Sequence, residues 1–86
     1  MTFRVKLTAI AEKQRKRLTA ETKARIDGIL EGLKVEARPP GASKLAGSKN
    51  DWRVREGDYR ILYEIDDEES LITVWRIAHR RETYRA

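Results

Sequence analysis

The sequence predicts an α+β domain of element order β-α-α-β-β-β, with a helical hairpin packed on one face of a mainly antiparallel sheet. Three observations carry that prediction. In the first half, Ile26, Ile29, Leu30 and Leu33 recur at i, i+3, i+4 and i+7, the stripe of an amphipathic helix. In the second half, residues 52–55, 59–65 and 71–78 are rich in β-branched and aromatic side chains and are bounded by Gly, Asp and Ser. The turns between them, Glu56-Gly57-Asp58 and Asp66-Asp67-Glu68-Glu69, are short, so the three strands are antiparallel neighbours. Strands that follow a pair of helices place those helices together on one sheet face.

Residues 3–7 alternate apolar and polar, which predicts a first strand with Phe3, Val5 and Leu7 inward. Thr8 is placed to cap a helix starting at Ala9, because its hydroxyl can accept from a free backbone N–H. That helix runs to about Arg17 with Ile10, Ala11, Gln14 and Leu18 inward. Its outer face carries Lys13, Arg15, Lys16 and Arg17. Thr19 caps a second helix, Glu21 sits in its favourable first turn, and it reaches about Val35. So tight a connection predicts a helical hairpin. Arg38-Pro39-Pro40-Gly41 stops the helix and turns the chain. Residues 44–50 then form a basic loop that leads into the three strands.

Composition narrows the function. The 86 residues make one domain, 1–86, with one small core. A chain of this size buries only about 60% of the surface that its unfolded form exposes. With no cysteine, a disulfide framework and a thiolate metal site are excluded; with one histidine besides, no structural zinc and no other metal or cofactor is expected. No apolar run is long enough to span a membrane and no signal-peptide pattern appears, so the expected location is cytoplasmic. The net charge is +5 and the pI about 9.8, a surplus that fits nucleic acid, a ribosome or an acidic protein partner.

The arginines inside the strands are the unusual feature. Alternation puts Arg53 and Arg55 on one face, opposite Trp52 and Val54. Arg60 lies opposite Tyr59, Ile61 and Tyr63, and Arg76 and Arg80 share a parity if the last strand continues that far. A register that gathers these arginines gives a sheet with helices on one side and a cationic concavity on the other.

The patterns W-R-V-R-x-G-D-Y-R-I-L-Y-E-I and V-x-R-I-A-H-R-R-E-x-Y resemble the RelE-type toxins of type II toxin–antitoxin systems, within the RelE/ParE superfamily. The resemblance implies a compact fold with a curved sheet. It also implies a metal-independent endoribonuclease, an mRNA interferase that cuts message in the ribosomal A site through attack of the ribose 2′-hydroxyl on the adjacent phosphate. Arg60 and Arg80 match phosphate-stabilising positions, Arg80 also a proton-donating one, and Tyr84 matches a tyrosine that stacks on a base. Arg53 and Arg55 match a basic pair that is often lysine in relatives. Arg76 and Lys44 complete the expected RNA-binding set.

One departure concerns the general base. Arginine keeps its proton through the ordinary pH range and is a poor base. Histidine is the side-chain type that ordinarily titrates near neutrality, and the chain has one, His79. His79 is the catalytic candidate on that ground, although its parity with Ile77 and Trp75 turns it from the concave face. Glu56 and Glu64 are secondary candidates. The implied partner is an acidic RelB-like antitoxin in a toxin–antitoxin hetero-oligomer, alongside ribosome and mRNA. Two other functions fit the same fold: a ParE-like inhibitor of DNA gyrase and a nucleic-acid-binding module without catalysis.

Overall fold

The computed structural model describes residues 2–83. β1 (Arg4–Leu7) leads to α1 (Ala9–Lys16) and α2 (Ala20–Val35). β2 (Ser43–Lys44), β3 (Asp51–Glu56), β4 (Tyr59–Asp66), β5 (Leu71–His79) and a one-turn α3 (Arg80–Thr83) follow. The predicted order is therefore present, with β2 and α3 added. The strands form one five-stranded sheet in the order β1-β5-β4-β3-β2. β2 to β5 pair antiparallel, and β1 pairs parallel with β5, Arg4 beside Leu71.

Both caps form as the sequence predicts. Thr8 Oγ1 accepts from Ala11 N at 3.2 Å, and Thr19 Oγ1 accepts from Thr22 N at 3.2 Å. The helices are clasped by Arg15, whose Nε and Nη2 donate to the two carboxylate oxygens of Asp27 at 2.7 and 2.6 Å. This fork holds the Asp27 carboxyl below its usual range, first through the hydrogen bond. The core lies between helices and sheet, where Ala11, Ile26, Leu30 and Leu33 meet Val54, Ile61, Tyr63, Ile65, Ile72, Val74 and Ile77. Tyr63 is fully buried, and its hydroxyl donates to Ala37 O at 2.8 Å. Burial pushes its pKa up to about 12.

Two details correct the sequence reading here. Ile10 is 64% exposed rather than inward. The buried side of α1 runs through Ala11 with Gln14 and Leu18 half-buried, and Ile10 falls a quarter-turn away. Arg80 does not extend the strand, because β5 ends at His79 and Arg80 opens α3. Its backbone N–H donates to Asp58 O at 2.6 Å.

Beyond Leu7, where β1 stops, α1 takes over the edge of β5. Gln14 Oε1 accepts from Ile77 N at 2.6 Å, a polar group doing the work of a missing strand.

Candidate nucleic-acid interface

Cross-strand register decides which side chains share the helix-free face. Arg53 lies opposite Leu62, Arg55 opposite Arg60, and Arg60 opposite Ala78. Arg76 lies opposite Leu62 from the other side. Directly paired residues point to the same face. Arg53, Arg55, Arg60 and Arg76 therefore project together, away from Ile61 and Tyr63, and the predicted cationic face is present.

Arg76 reaches that face by a route that alternation does not foresee. The register of β4 and β5 slips between Leu62 and Tyr63: Leu62 faces Arg76 while Tyr63 faces Val74. Trp75 is the extra residue of a β-bulge, and strand parity inverts across it. The indole Nε1–H donates to Asp51 Oδ1 at 3.2 Å. Asp51 pairs with Glu64 and so lies on the arginine face. Trp75 is a residue of this face that the sequence reading missed.

Arg60 sits deepest. It is 5% exposed, the one buried charged residue among those described, with buried Leu62 and Ala78 beside it on the same face. Among the described residues no carboxylate pairs with Arg53, Arg55, Arg60 or Arg76. Arg76 Nε is buried without a hydrogen-bond partner. Two arginines of the helix side have acid partners by contrast. Arg15 holds Asp27, while Arg38 holds Asp67 at 2.9 Å and lies 5.3 Å from the Trp52 ring centre. Arg55 and Arg60 directly oppose each other, an arrangement that costs stability in a sheet. Buried or crowded guanidinium groups without acids are poised for an anion from outside.

The other expected residues lie elsewhere. Lys44 opposes Trp52, so the register puts it on the helix side of the edge strand, away from the arginines. His79 opposes Tyr59, and their rings meet edge to face at 5.4 Å. Its Nδ1 accepts from Arg81 N at 3.3 Å, so His79 belongs to the helix side. Glu56 also falls on that side, opposite Tyr59, whereas Glu64 is exposed on the arginine face. Arg80 is exposed at the Arg60 end of the sheet, with Nη1 3.9 Å from Asp58 Oδ1. Tyr84 lies outside the described residues.

Residues 5–84 match the model of the family described as the ParE toxin of the type II toxin–antitoxin system parDE. The chain is 41% identical over 46 residues to Toxin RelG of Mycobacterium tuberculosis, across 54% of this chain and 49% of RelG. It thus spans about half the length of the curated relative it matches. Among solved structures, the archaeal RelE–RelB complex of Pyrococcus horikoshii superposes with a TM-score of 0.83 at 27% identity, covering 93% of this chain and 97% of that one. A RelBE toxin–antitoxin complex of Mycobacterium tuberculosis gives 0.82 at 26% identity, covering 93% and 100%. The isolated RelE toxin of E. coli shares the fold, with a TM-score of 0.79 at 17% identity over 99% and 97% of the two chains.

Proposed function

The chain belongs to the ParE toxin family of type II toxin–antitoxin systems, in the RelE/ParE superfamily, and from that premise we propose that it is a ribosome-dependent, metal-independent mRNA endonuclease. The observation that carries this reading is the arginine face, free of acid partners among the described residues, with Arg60 sunk into one end of it. RNA brings its own nucleophile, so the protein's task is to hold the strand and to stabilise charge at the phosphate. The 2′-oxygen attacks the adjacent phosphorus, its proton leaves to a base, and the bond to the 5′-oxygen breaks as that oxygen takes a proton. The products are a 2′,3′-cyclic phosphate and a 5′-hydroxyl.

Arg60 is the residue assigned to the phosphoryl oxygens, since its side chain is sunk in the face and not committed to a carboxylate. Arg53, Arg55 and Arg76 hold the flanking phosphates. Arg80 stands at the same end, and Tyr84 is kept as the base-stacking tyrosine that the family resemblance implies. His79, turned to the helix side, is not assigned the base; Glu64 is the exposed carboxylate on the reacting face. The partners that go with this reading are the ribosomal A site, message and a RelB-like acidic antitoxin, since neighbouring structures are RelE toxins bound to RelB. The setting is the cytoplasm; no described helix is long and apolar enough to cross a membrane.

Primer extension on message bound to translating ribosomes tests the proposal. Cuts that appear with the protein and vanish with Arg60→Met support it, and an uncut message rejects it. The matched family is described by its ParE members, which supports gyrase inhibition as the second reading. A supercoiling assay run beside primer extension separates the two.

A further inference from the structure

We propose that Trp75 is a nucleobase-stacking platform on the arginine face, held in its working orientation by Asp51. The inference rests on the RNA-binding part of the reading above and deepens it by naming the residue that meets a base.

The β5 bulge turns Trp75 and Arg76 to the same side of the sheet. The indole then reaches across the sheet: Trp75 is on β5, Asp51 is on β3, and β4 runs between them. The outer two of three adjacent strands are about 10 Å apart. A ring that bridges such a gap lies along the sheet rather than standing on it. Leu62 occupies β4 on this face and is only 8% exposed, although it is not part of the helix-side core. An indole crossing β4 to reach Asp51 would supply that cover.

Asp51 is itself fixed. Ser48 Oγ donates to Asp51 Oδ2 at 2.7 Å, and Asp51 N donates to Ser48 Oγ at 3.1 Å. The ring plane is therefore set before any ligand arrives. In the proposed arrangement one side rests on the sheet and the other points outward between Arg53 and Arg76, the two residues that flank Leu62. An aromatic plane between guanidinium groups that lack acids is the arrangement that binds single-stranded nucleic acid, with phosphates on the cations and a base on the ring. Trp52, the other tryptophan, lies on the opposite face under Arg38 and does not compete.

The test uses Trp52→Phe protein, in which Trp75 is the one indole. It is titrated at low salt with a single-stranded RNA oligonucleotide and, separately, with inorganic polyphosphate. RNA should quench the Trp75 emission, and polyphosphate should bind without quenching. In the full-length chain, Trp75→Leu keeps an apolar cover on Leu62 but removes the ring. It should melt as the parent does, lose about tenfold in RNA affinity and retain its polyphosphate affinity. Asp51→Ala should weaken the quench. Unquenched Trp75 at saturating RNA, a failure to bind RNA, or equal losses for RNA and polyphosphate in Trp75→Leu would overturn the proposal. Cleavage is scored separately by primer extension. Quenching without cleavage rejects the nuclease and keeps the platform, and cleavage without quenching does the reverse.

Discussion

Arg60 and Tyr63 are three residues apart on one strand and show two opposite uses of burial. Tyr63 is buried with its hydroxyl satisfied by Ala37, so the residue serves the fold. Phenylalanine there leaves a buried carbonyl unpaired and should cost about 1–2 kcal/mol in chemical denaturation. The same residue sets an alkaline limit. Its folded pKa of about 12 exceeds the ordinary tyrosine value of 10.0. The neutral hydroxyl thus contributes stability that is complete below pH 10.0 and is lost as pH rises through about 12. Stability curves of the parent should fall across that window, and those of Tyr63→Phe should fall less. Arg60 is buried without an acid among the described residues, and the proposed function gives it a partner from outside, the phosphate. Arg60→Met should therefore leave the melting temperature unchanged or raise it, since apolar replacements of buried charges are often neutral or stabilising. Message cleavage should fall about a hundredfold. A variant that unfolds, or one that cuts normally, would remove Arg60 from the role given to it.

At the level of elements, alternation and helical spacing made most of the fold legible. The capping threonines, the 26-29-30-33 stripe and the three long strands were all readable because each obeys a fixed period. The arginines of β3 and β4 were readable for the same reason. What escaped lies where the period breaks or where pairing decides. The bulge inverts the parity of β5 and lifts Trp75 onto the basic face. β2 is two residues long and carries no pattern, so only its register shows that Lys44 faces the other way. His79 was rightly turned from the concave face by parity, for it shares the Ile77 side. Helical spacing turns Gln14 inward but does not show that its carboxamide closes the edge of β5. Gln14→Ala should strand the Ile77 N–H and cost about 1–3 kcal/mol. Hydrogen exchange should find the loss at Ile77 first, and an unchanged exchange rate there would contradict the edge-closing role.

For the molecule as a whole, charge is graded along β4. Arg60 marks one end, and the acidic turn of Asp66, Asp67, Glu68 and Glu69 follows the other. Such a gradient favours an anion at the first end over the second, and would give RNA docking a direction. Phosphate contacts exchange with counterions, so Arg53→Ala and Arg55→Ala should each weaken RNA binding at ordinary salt and recover at low salt. Each should reduce the slope of log affinity against log salt by roughly one. A loss that does not respond to salt would show that these arginines act on the chemical step. Arg55→Ala should also stabilise the free protein slightly, because it relieves the pairing of like charges with Arg60.

The parallel pairing of β1 with β5 bears on the order in which the basic face is assembled. β1 and both helices emerge during translation well before the strand beside which β1 must lie. β5 also forms one wall of the Arg60 site through Ala78 and Arg76. Contacts so distant in sequence close late. The wall that β5 gives to the basic face therefore closes after β1 and the helices have formed, which makes that face a late product of folding.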